Sequence, residues 1–150
     1  MRKFFCFVLV GLMGCADTNV IRIDPPQLDA LGDDGVEIYQ HFIADMVEVE
    51  EILGYPIVLT EDAPIRAEHI KPVEPAFDGL YVPFGRCQHY IRGYTPKVLA
   101  HEIGHAHGLH HASDEREDAL MYPNDPDGIE LNDEEWDTFD RGVARLSRCI

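Results

Sequence analysis

Basic residues are scarce in this sequence. Lys and Arg number 12 against 28 Asp and Glu, a formal net charge of −16 over 150 residues, and the few cations are scattered. A nucleic-acid binder that tracks phosphates needs a local Lys or Arg at each contact, so the balance argues against that class. It argues equally against a polybasic protein held on an anionic membrane surface. Long apolar runs are missing too: the N-terminal run from Phe4 to Gly14 has 11 residues, well short of the roughly 20 that a spanning helix needs. No repeat and no low-complexity tract is visible. Apolar residues nonetheless make up 45% of the chain, enough to fill one compact core, and abundant Val, Ile and Leu speak against wholesale disorder. One folded domain is the expectation.

Arg2 and Lys3 before the apolar run, with Cys15 after it, read as a secretory signal. The four residues Leu12-Met13-Gly14-Cys15 resemble the lipobox of bacterial lipoproteins. That resemblance implies cleavage just before Cys15, lipid on its thiol, and a place in the bacterial cell envelope with the membrane reached through the lipid anchor only. The alternative is a plain cleaved signal with a stray cysteine. Residues 1–14 are then the signal peptide, 15–33 the lipidated tether and first strand, and 34–150 the functional domain. Only four cysteines are present, and losing Cys6 with the signal and Cys15 to lipid leaves Cys87 and Cys149. In an oxidising compartment such a pair is most simply a disulfide closing a long loop. Two buried free thiols, or a Cys87 thiolate at a metal, are the competing readings.

The short patch Val20-Ile21-Arg22-Ile23 reads as a first strand. Asp33 and Asp34 occupy an N-cap position, and Val36, Tyr39, Phe42, Ile43, Met46, Val47 and Leu53 recur at three- and four-residue steps, an amphipathic helix that Gly54 should stop. Residues 57–60, 79–84 and 87–91 read as strands. Prolines at 64, 72, 75 and 83 make the intervening segment a loop or sheet edge. Thr95 before Pro96 starts a helix that should run to about His107 and end at Gly108. Asn132 with Glu135 forms a capping box for a last helix, whose apolar face is Trp136, Phe139, Val143 and Leu146.

Residues 101–111 read His-Glu-Ile-Gly-His-Ala-His-Gly-Leu-His-His. Positions four apart share one face of a helix, so the imidazoles of His101 and His105 can reach one metal ion at about 2.0–2.1 Å. Glu102 is turned about 100° from His101, so it need not be a ligand and its carboxylate can take a proton from a metal-bound water. After the chain reversal at Gly108, a third imidazole can return to the ion, leaving zinc one open position as in catalytic sites.

The whole string His-Glu-x-x-His-x-x-Gly-x-x-His is the metzincin signature, and Ala119-Leu120-Met121-Tyr122-Pro123 resembles the Met-turn of its matrixin branch, the matrix-metalloprotease-like enzymes. The resemblance implies an α+β fold: a metzincin-like zincin domain with a small twisted mixed sheet, a long N-terminal helix, an active-site helix, a Met-turn and a C-terminal helix. It further implies His101, His105 and His111 as ligands of one catalytic Zn2+, Glu102 as general base, and Met121 as the hydrophobic floor beneath the histidines. The implied activity is that of a zinc-dependent metalloendopeptidase acting on peptide or protein substrates, expected as a monomer. A pro-segment with a cysteine switch is absent, and His69 and His89 stand without the His-x-Asp pattern of a structural zinc loop. Phe77-Asp78-Gly79 resembles a fragment of a calcium loop, but a turn is the simpler reading, and calcium is not supported.

Three other features have plainer readings. His107 lies about 240° round the helix from His101, which suits solvent exposure or support of the site rather than ligation. His110 competes with His111 for the third position, and register favours His111. Residues 124–128 with Glu134 fail as an EF-hand, because Pro123 would fall where an oxygen ligand is required, and the acidic run at 114–118 reads as an exposed loop that could favour cationic peptides. The alternative function is a non-catalytic zinc-binding envelope lipoprotein that serves as a protein-binding module, for which Glu102 would be superfluous. Within enzymes, the alternative is a zincin whose third ligand is Glu134 or Glu135.

Overall fold

The computed structural model describes residues 19–27, 31–69, 79–113, 115–123 and 128–149. Cys15 and its lipobox, Phe77-Asp78 and residues 124–127 lie outside that set. Five strands and three helices follow in the order β1 (Ile21–Asp24), α1 (Gly35–Leu53), β2 (Ile57–Leu59), β3 (Ile65–His69), β4 (Gly79–Pro83), β5 (His89–Gly93), α2 (Pro96–Ala106) and α3 (Asp133–Leu146). The strands form one mixed sheet in the order β2-β1-β3-β5-β4. All neighbours are parallel except β4, which runs antiparallel to β5 at the edge. This is the small mixed sheet with a long N-terminal helix that the sequence led us to expect. Among the described residues no helix is long and apolar enough to cross a membrane.

Alternation along the strands decides which face is covered. Ile21, Ile23, Ile65, Ala67 and Ile91 are buried on the side where α1 and α2 pack, while Arg66 between them is exposed. From α1, Phe42, Met46, Val49 and Leu53 enter the core, a spacing of four, three and four that keeps them in one stripe. Val36 and Val47, expected on that face, are 65% and 59% exposed, and Val49 takes the inward place. Gly54 caps the helix with φ 64°.

Two strand expectations shift. Residues 65–69, read as part of a proline-rich loop or edge, form β3 at the middle of the sheet. Pro64 stands just before the strand, where its missing N–H removes no ladder bond, and its carbonyl accepts from the His89 amide at 2.8 Å. Pro83 does end the edge strand β4, as a proline in a sheet should. The strand expected at 87–91 begins only at His89, because residues 84–88 make the β4–β5 turn, closed by the Phe84 amide on the Gln88 carbonyl at 2.8 Å. Cys87 in that turn is bonded to Cys149 beyond α3, with Cα atoms 5.3 Å apart and a sequence separation of 62.

Candidate metal centre

Helix α2 starts where its sequence says it should. Thr95 is extended and its hydroxyl accepts from the Val98 amide, with Pro96 in the first turn. The helix ends after Ala106, and Gly108 at φ 102° reverses the chain, a conformation that side chains with a Cβ rarely adopt. The Gly108 amide bonds to His105 and the Leu109 amide to Gly104, each at 3.0 Å. Leu109 is thereby buried, and His111 is carried back beside the helix.

The result is a convergence of three imidazoles. One ring nitrogen from each of His101, His105 and His111 lies within 4.8 Å of the others, the one such group of potential metal ligands among the described residues. His105 Nε2 and His111 Nε2 are 3.2 Å apart. Two nitrogens bound tetrahedrally to one ion at 2.0–2.1 Å would stand about 3.3 Å apart, so the spacing fits a shared zinc. The other nitrogens are occupied: His101 Nδ1–H donates to the Leu120 carbonyl at 2.8 Å and His105 Nδ1–H to the Leu109 carbonyl at 2.9 Å. A proton held at Nδ1 leaves the Nε2 lone pair for a metal. Burial, opposed by the bond to Leu109, pushes the His105 pKa down to about 4, and burial likewise lowers that of His101. Both are therefore neutral at pH 7, the form that ligates.

The segment after the loop packs against α2. Leu120, whose carbonyl holds His101, is followed by Met121, which is fully buried, and the Met121 carbonyl accepts from Ala112 at 2.8 Å. A Cβ on Gly104 would come 2.6 Å from the Met121 sulfur. The thioether thus packs against bare backbone of α2, one residue from His105.

Glu102 is 7% exposed, on a different face of α2 from the histidines and outside their group. Burial raises its pKa to about 7. Its room is made by Gly79 at the start of β4, where a Cβ would lie 2.2 Å from the Glu102 Oε1. Gly79, which the sequence placed where a turn opens the strand 79–84, was missed as part of the site. A glycine opening a strand is the one signal that could have shown it, since such a residue marks a close approach.

Other residues weighed from sequence lie elsewhere. His107 is neither exposed nor beside the centre: it is 2% exposed, its Nδ1–H donates to the Ile103 carbonyl at 2.8 Å, and its ring lies 4.6 Å from that of Phe139. Helix α3 covers it, which position on a helical wheel could not foretell. His110 is exposed and outside the group, as is the acidic Glu115 and Glu117 loop. Glu135 is taken by the capping box with Asn132 and by Arg116 at 2.7 Å, and neither it nor Glu134 belongs to the converging group. Cys87 is in its disulfide rather than at a metal. His89 is buried, and its Nδ1 shares a hydrogen bond with the Tyr81 hydroxyl at 3.0 Å. His69 closes β3.

Residues 88–139 match the matrixin peptidase family model. The matched span runs from the start of β5 through α2, the three histidines and the Met121 turn into α3. No curated protein matches the chain. The match, which covers about a third of the chain, and the three-histidine group together support a zinc metallopeptidase in general terms.

Proposed function

From a matrixin-like metzincin domain with a three-histidine centre, we propose a zinc-dependent metalloendopeptidase in which Glu102 is the general acid–base group. His101, His105 and His111 would hold the ion, and Met121 would floor it. The observation that carries the reading is the pairing of three imidazoles, each with a ring nitrogen within 4.8 Å of the others, with a buried carboxylate on the helix that carries two of them. Bound zinc would supply Lewis-acid polarisation of the scissile carbonyl and activation of water.

Glu102 would accept a proton from the attacking water at a carboxylate oxygen and pass it to the leaving amine nitrogen. A pKa raised to about 7 by burial suits both halves of that transfer, because a group poised near ambient pH gives and takes protons with similar ease. The edge strand contributes space rather than charge: Gly79 lets the carboxylate lie against β4. We further propose export and attachment to the bacterial envelope through lipid on Cys15, with residues 1–14 removed. Intact mass of the exported protein checks it, and an unmodified Cys15 would rule out the anchor.

Glu102→Ala tests the mechanism. Zinc content and fold should remain, while peptide hydrolysis falls by on the order of 10²–10⁴-fold. Hydrolysis at wild-type rate with zinc bound would remove Glu102 from the mechanism. Zinc binding without hydrolysis of any member of a mixed peptide library by the wild type would favour a binding module instead.

A further inference from the structure

The ring of Tyr81 has two imidazoles for neighbours. It is near-parallel to His89, with centroids 5.8 Å apart and planes 16° apart, and to His105, with centroids 5.6 Å and planes 27° apart. Tyr81 pairs with Ile91 across β4 and β5, and Ile91 is a core residue facing the helices, so the register sends the phenol ring toward α2. His89 is two residues before Ile91 and shares its face. The Tyr81 hydroxyl also lies in hydrogen-bond contact with His89 Nδ1 at 3.0 Å, which ties the phenol to that imidazole.

We infer that Tyr81, held by His89, is a positioning residue that fixes the plane of the His105 imidazole. The inference rests on the reading of His105 as a zinc ligand. His105 is pinned at Nδ1 by the Leu109 carbonyl, but one hydrogen bond fixes a point and leaves the ring free to rock about it. A flat, near-parallel ring packed beside it, with centroids 5.6 Å apart, restricts that rocking, so Nε2 stays aimed at the position shared with His101 and His111. His101 has less need of such a partner, being 7% exposed and enclosed by its own surroundings, whereas His105 is only partly buried.

His89 is 6% exposed, so the polar contact between its Nδ1 and the Tyr81 hydroxyl is held within the fold. Residues that orient a ligand commonly set metal affinity by about 10–100-fold.

The test measures zinc and cobalt binding by the metal-free protein, using competition with a chromophoric chelator and the absorption spectrum of the cobalt form. Tyr81→Leu keeps bulk but loses the plane, and should weaken zinc by about 10–100-fold while shifting the cobalt bands. Tyr81→Phe keeps the plane but loses the tether, and should weaken zinc measurably but by less than about 10-fold, the lower end for an orienting residue. His89→Leu added to Tyr81→Phe should then change affinity no further, since the tether is already gone. Wild-type zinc affinity and an unchanged cobalt spectrum in Tyr81→Leu would overturn the inference, whatever happens to the melting temperature. Should Tyr81→Leu not fold, Tyr81→Phe decides, and affinity equal to wild type overturns it. Failure of the wild type itself to bind zinc would instead sink the proposed function.

Discussion

His105 and His107 sit two residues apart at the end of one helix and share almost every local property. Each bonds a backbone carbonyl four residues away through Nδ1, at 2.9 and 2.8 Å, and burial pushes each pKa down to about 4. One faces two other imidazoles; the other faces Phe139 inside the α2–α3 contact. Burial and a depressed pKa therefore do not mark a site here. Convergence does, because a metal needs several lone pairs at one point, whereas a core needs only that polar atoms be paired.

The comparison breaks most sharply in metal binding. His105→Ala should cut zinc affinity by more than about 100-fold, beyond the range of a supporting residue, while His107→Leu should leave it within a few-fold. Equilibrium dialysis against buffered zinc measures both, and loss of zinc in the His107 variant would erase the distinction. The same contrast should hold after the turn: His111→Ala should release the ion, and His110→Ala should retain it. Release by the His110 variant alone would move the third ligand by one residue.

Much of this was legible in advance, and the reason is physical. Ligand spacing on α2 follows from helical geometry, and the caps at Thr95, Gly54 and Asn132 are local events with local sequence signals. What could not be read depends on partners distant in sequence. Strand β3 hid behind Pro64 because its place at the sheet centre comes from pairing with β1 and β5, not from its own residues. His107 was placed by the helical wheel, which knows nothing of α3 lying over it. The carbonyls of Leu109 and Leu120 that orient two imidazoles are invisible in sequence, as every residue has one. Gly79 and Tyr81 reach the site only because β4 lies beside α2.

The disulfide sharpens the division between stability and site. It ties the β4–β5 turn to the end of α3 across a sequence separation of 62, for which chain entropy gives about 4 kcal/mol. Replacing Cys87 and Cys149 together by Ala should lower unfolding free energy in urea by an amount of that order. Zinc affinity should stay within about threefold, because β5 is still paired on both sides. A variant that keeps its stability would show that the bond constrains little in the unfolded chain; one that keeps stability but loses zinc would place the bond on the side of the site.

The smallest effect concerns acid. His107 has an ordinary pKa of 6.5 in the unfolded chain and about 4 when buried in the fold. Below 6.5 the unfolded state takes up a proton that the folded state refuses, so stability falls as pH drops toward 4 and levels off beneath it. The difference corresponds to on the order of 3 kcal/mol. Leucine at this position does not titrate. It also strands no acceptor, since the Ile103 carbonyl keeps the backbone amide of residue 107 at 3.1 Å. Urea melts of the metal-free proteins between pH 7 and 4 should therefore show a shallower loss of stability in His107→Leu than in wild type. His105→Leu should flatten the same limb in the metal-free state, since its shift is as large. With zinc present, only the His107 variant should keep its benefit in full, because the other has lost its ligand. Parallel acid limbs for wild type and His107→Leu would mean that this imidazole is not held neutral by burial, and the likeness between the two histidines would end there.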